Sequence, residues 1–122
     1  MWIINNWRGG KLPLLYFYIM NEIIEKWQHI FRLKDWKITT NKINPENIIY
    51  NGEDYFIGIH RDFGRKFAII YHDIDLAEES IVHELLHIVF PEPQKDETFE
   101  DYERWITDVA ENFVNEKWDT DI

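Results

Sequence analysis

Three features of the sequence predict an α+β fold. A long amphipathic helical stretch opens the chain, short segments rich in Tyr, Phe and Ile fill its middle, and two more helical stretches close it. The order helix, strand, hairpin, helix, helix places the helices on one side of a small, mainly antiparallel sheet. The 122 residues fit one domain spanning 1–122.

The elements follow in order. Residues 1–12 form a leader with Trp2 and Trp7 that ends at Gly9-Gly10, and no element is assigned to it. Pro13 suits the first turn of a helix, where its missing N–H costs nothing. Phe17, Met20, Ile24, Trp27 and Phe31 then recur at helical spacing, which predicts a helix over about 14–32. From Trp36 to Ile43 the chain alternates, with Trp36, Ile38 and Thr40 against Lys37, Thr39 and Asn41. That pattern is a strand with one buried face, stopped at Asn44-Pro45. Ile48 to Tyr50 is a further short strand candidate. Residues 54–60 and 66–72 flank Arg61-Asp62-Phe63-Gly64-Arg65 and predict a β-hairpin with a Gly-containing loop.

After Asp75 the period changes. Asp75 and Glu78 have the spacing of a capping box, and Ile81, Val82, Leu85, Leu86 and Val89 continue at helical spacing until Pro91 and Pro93. A last helix over about 97–117 carries Phe99, Tyr102, Ile106, Val109, Ala110 and Phe113.

Composition narrows the chemistry. The formal net charge of −10 repels a phosphate backbone, so nucleic acid is not the expected partner. There is no Cys, so disulfides and thiolate metal sites are excluded, and a metal must be held by His, carboxylate or backbone. No signal peptide and no apolar run long enough for a membrane span is present, so the expectation is an intracellular, cytoplasmic protein, monomeric by default and away from membranes.

His83-Glu84-Leu85-Leu86-His87 carries the strongest chemical signal. Residues four apart lie one turn above each other on the same helix face, so two imidazoles can converge on one ion. Glu84 projects about 100° from His83 and about 60° from His87, within reach of a metal-bound water without being a ligand. Two His ligands with a Glu as general base is the arrangement of a metallopeptidase. With 5 His in the chain, composition alone expects roughly 0.02 such motifs. The helix is otherwise strongly apolar, a costly place for three polar groups without a function.

A catalytic zinc has three protein ligands and one open position. No His follows His87, so a downstream third ligand has to be a carboxylate. In the last helix the apolar arc centres on Ile106 and Phe113; Glu103 falls inside it, between Ala110 and Val114, whereas Glu100, Asp101, Asp108 and Glu111 point away. Glu103 is therefore the expected ligand, with Glu100 one turn earlier as the reserve.

His83 to His87, followed by a helix containing Glu103-Arg104-Trp105-Ile106-Thr107-Asp108-Val109-Ala110, resembles the minimal gluzincin-type zincins, or minigluzincins. The resemblance covers most of 14–117 and implies a helix–sheet–helix–helix core. It implies zinc held by His83, His87 and Glu103, with Glu84 as the base in peptide hydrolysis. It also implies that a terminal segment can cover the metal, through the leader or the tail with Asp119 and Asp121.

The expected activity is endopeptidase cleavage of a peptide or protein substrate; the alternative is a latent or inactive zinc domain that serves as an interaction module. A metal-free interaction protein is a third reading. Tyr102, His60, Tyr71 and His72 are the candidate donors to an oxyanion. The strand Phe67 to Tyr71 offers an edge on which an extended substrate can pair.

Overall fold

The computed structural model describes residues 11–91 and 99–116. Most of the leader, Pro93 and the acidic tail thus lie outside the described residues. The fold is α+β, with three helices and one three-stranded sheet among the described residues. The chain divides into two compact units, Met1–Leu76 and Ala77–Ile122.

The first unit begins with helix α1, Lys11–Ile30, which starts earlier than expected and keeps Pro13 in its first turn. Its buried stripe is Tyr16, Met20, Ile24 and Trp27, a run of steps of four, four and three along one face. Phe17 is exposed, so the stripe begins one residue earlier than the sequence suggested. The turn after α1 is held by the Gln28 side-chain amide, which donates to the carbonyls of Leu33 (3.0 Å) and Trp36 (2.8 Å). Arg32, at φ 61°, supplies the left-handed residue that reverses the chain there.

The strands are β1 (Lys37–Lys42), β2 (Ile57–Asp62) and β3 (Phe67–His72). They lie in the order β1-β3-β2, with β2 antiparallel and β1 parallel to β3. The sheet is therefore mixed rather than mainly antiparallel. A tight hairpin forces β2 and β3 to be antiparallel, whereas residues 43–66 separate β1 from β3 and leave room for a crossover into parallel pairing. Both edges of β3 are consequently occupied: Ile38 pairs with Ala68 on one side and Ile59 with Ile70 on the other. The expected substrate-pairing edge at Phe67 to Tyr71 does not exist.

Alternation holds best on β3, where Ala68, Ile70 and His72 are buried and the intervening residues half-buried. The hairpin loop is Phe63 to Lys66. Its left-handed position is Lys66, at φ 57°, rather than Gly64. Asp62 stabilises the loop by accepting the Arg65 N–H at 3.0 Å. Ile48 to Tyr50 forms no strand. Asn44 instead caps a short 3-10 turn, Pro45–Asn47, by accepting the Glu46 N–H. Beyond β3, the Leu76 N–H donates to the Tyr16 hydroxyl at 3.1 Å, tying the end of the unit to α1.

The second unit contains helices α2 (Glu78–Val89) and α3 (Phe99–Asn115), which pack against each other. Ile81, Val82, Leu85, Leu86 and Ile88 on α2 are buried, as are Ile106 and Ala110 on α3. Ala77, not Asp75, is the N-cap of α2, and it makes no side-chain capping bond. The capping box does not form because the helix starts later than Asp75, whose carboxylate faces Lys42 Nζ at 3.5 Å. Glu78 and Glu79 in the first turn still complement the helix dipole. Among the described residues, no helix is long and apolar enough to cross a membrane.

Candidate metal centre

The regular geometry of α2 sets His83 and His87 one turn apart, with ring centroids 5.0 Å from each other and the planes 61° apart. On α3, Glu103 stands three residues before Ile106 and seven before Ala110, the two buried positions of that helix. These spacings share one face, so the packing that buries Ile106 and Ala110 also carries Glu103 toward α2. Its two oxygens then divide between the imidazoles: Oε1 is 3.4 Å from His83 Nε2 and Oε2 is 3.3 Å from His87 Nε2. Ligand atoms of the three residues all lie within 4.8 Å of one another.

The surroundings grade from dry to wet. The His87 side chain is 8 % exposed, that of His83 22 % and that of Glu103 38 %. Burial pushes the His83 imidazole below the ordinary histidine range, and the nearby Glu103 carboxylate opposes that shift without overcoming it. A lowered imidazole pKa favours the unprotonated form, the form that can ligate a cation. The N–O spacings of 3.3–3.4 Å exceed those of charge-assisted hydrogen bonds. Three donors held around a shared space without tight bonds among themselves are suited to an ion.

A second layer lies behind His87. Its Nδ1 is 2.9 Å from the Tyr102 hydroxyl, which donates to the carbonyl of Phe90. Phe90 is the C-cap of α2, and its own N–H returns to the Leu86 carbonyl at 2.8 Å. The Phe90 carbonyl is one of the groups that a helix end leaves without a partner in the helix, and the Tyr102 hydroxyl supplies one.

The other expected site residues fall as follows. Glu84 is on α2 and buried, at 6 % exposure. Glu100 is exposed in the first turn of α3 and takes no part in the cluster of His83, His87 and Glu103. His60, Tyr71 and His72 belong to the first unit. His60 is exposed on β2 with its ring 5.8 Å from that of Phe67. Tyr71 is half-buried on β3, and His72 is buried with Nδ1 2.6 Å from the Ile74 carbonyl. Sequence reasoning placed Tyr102 among the oxyanion donors and missed its place beside His87. The available signal was its position next to Glu103, but the partner on another helix is set by packing. In comparisons with known proteins, no family model, no curated protein and no solved structure matches the chain.

Proposed function

We propose that the chain is a zinc-dependent hydrolase that cleaves peptide bonds, with His83, His87 and Glu103 as the metal ligands and Glu84 as the general base. One observation carries the reading. Two imidazole nitrogens from one helix and a carboxylate from the next converge within 4.8 Å, beside the Glu of a His-Glu-x-x-His motif. The donor set suits zinc: two imidazoles and one carboxylate complete the protein share of a catalytic site. The likeness of the motif and of the helix bearing Glu103 to minigluzincins supports the same reading.

When bound, zinc supplies an acidified water and a positive charge facing the developing oxyanion. The residues of the chain do the rest. His83 and His87 would each offer a ring nitrogen to the metal, and Glu103 would contribute the negative charge that offsets part of the cation. Glu84, next in sequence to His83, accepts a proton from the attacking water and returns it to the leaving amine.

The test is hydrolysis of a peptide panel by the zinc-loaded full chain, by the chelated chain and by Glu84→Gln. Cleavage by the loaded wild type is expected, with loss on chelation. Glu84→Gln is expected to keep its zinc and lose about 10²–10⁴-fold in rate. Unchanged cleavage in the variant contradicts the assignment of the base. Stoichiometric zinc with no cleavage of any peptide assigns the domain to binding rather than hydrolysis.

A further inference from the structure

We propose that Tyr102 is a positioning residue: it accepts the Nδ1–H of His87 and so aims the unprotonated Nε2 of that ring at the metal position. The proposal rests on the metal-site reading above and extends it to a residue outside the three proposed ligands and the base.

A count of protons assigns the tautomer. A carbonyl can only accept, so the contact between Tyr102 and Phe90 takes the single hydroxyl proton of the tyrosine. The Tyr102 oxygen then has only lone pairs to offer His87. At 2.9 Å the contact is a hydrogen bond, and it follows that His87 Nδ1 carries the proton. In a neutral imidazole the other nitrogen is then a bare acceptor. That nitrogen, Nε2, is the one directed at Glu103, 3.3 Å away.

Two contacts among the described residues compete for the ring proton. Tyr102 draws it to Nδ1, and the Glu103 carboxylate draws it to Nε2. The distances favour Tyr102, because 2.9 Å is an ordinary hydrogen-bond length and 3.3 Å is long for a bond to a carboxylate. The relay ends at Phe90, the C-cap of α2, so the chain from ring to hydroxyl to carbonyl fixes the ring against both helices of the unit. Metal-bound histidines ordinarily donate their second nitrogen to such a partner, and loss of that partner lowers metal affinity about 10–100-fold.

Removal of the hydroxyl makes the prediction sharp. In Tyr102→Phe the Nδ1 proton loses its acceptor, and Glu103 remains as the carboxylate facing Nε2. The proton is expected to move to Nε2, where it blocks the ligand position. The experiment is imidazole ¹⁵N–¹H NMR of the full-length, metal-free protein at about pH 8, above the ordinary histidine range, followed by zinc titration of the same samples. Wild-type His87 is expected to show a protonated Nδ1 with a cross-peak to the Tyr102 ring. Tyr102→Phe is expected to show the proton on Nε2 and to bind zinc about 10–100-fold more weakly.

A wild-type His87 carrying its proton on Nε2 overturns the proposal, as does an unchanged tautomer or unchanged zinc affinity in the variant. If the variant fails to fold, the wild-type spectrum alone decides: the Nδ1–H cross-peak to Tyr102 supports the relay, and its absence overturns it. Wild-type protein that shows that cross-peak but takes up no zinc refutes the metal-site reading and leaves the ring assignment standing.

Discussion

Asp73 is held by hydrogen bonds from the Tyr50 hydroxyl and the Phe56 N–H. Burial raises the affinity of its carboxyl for a proton, but hydrogen bonds from the Tyr50 hydroxyl and the Phe56 N–H outweigh that, leaving it below the usual carboxylate range. A depressed folded value means that the stabilisation is present above the unfolded value, about 3.9, and is lost as pH falls through the folded one. Asp73→Asn keeps an acceptor for Phe56 and removes the charge. Chemical denaturation at pH 5 and pH 3 is therefore expected to show a larger loss of stability for wild type than for the variant; equal losses would contradict the assignment. Legibility at this scale was uneven. His83 and His87 were readable because a fixed spacing on one helix needs no knowledge of the fold, and Glu103 because helical projection places it on the apolar arc. Tyr102 was not readable in its role, since its partners, His87 and the Phe90 carbonyl, meet it only when α3 packs on α2.

Helices were the legible elements and turns the poorly legible ones. The stripe of α1 and the cores of α2 and α3 follow from apolar spacing alone, with displacements of a few residues at the ends. The turn at Tyr50 to Glu53 was overlooked although it contains Asn51-Gly52, a pair suited to left-handed backbone. Asn51 lies at φ 53° and Gly52 at φ 90°, and the Glu53 N–H closes the turn on the Tyr50 carbonyl at 3.0 Å. A Cβ on Gly52 would meet nothing within 4 Å, so substitution there isolates the cost of backbone conformation. Gly52→Ala is expected to destabilise the protein by about 1–2 kcal/mol in denaturant unfolding; a neutral effect would show that this turn is not held as described. The failure of the Asp75–Glu78 box has the same origin as the overlooked turn. A cap works only at the residue where the backbone actually enters the helix, and here that is Ala77.

At the scale of the molecule, the α+β class was legible because helical and alternating segments are well separated along the chain. Sheet order was not. Alternation reports which face of a strand is buried and says nothing of its neighbour, so the pattern of β3 reads equally well as an edge strand although β1 and β2 flank it. The charge of −10 sets the electrostatic background, which attracts cations at long range. The zinc proposal requires the cluster of His83, His87 and Glu103 to hold one ion. Anomalous diffraction at the zinc edge, from crystals of the full chain soaked in zinc, checks that requirement. One strong peak is expected about 2.0–2.2 Å from His83 Nε2, His87 Nε2 and a Glu103 oxygen; a peak elsewhere, or none at saturating zinc, rules the site out.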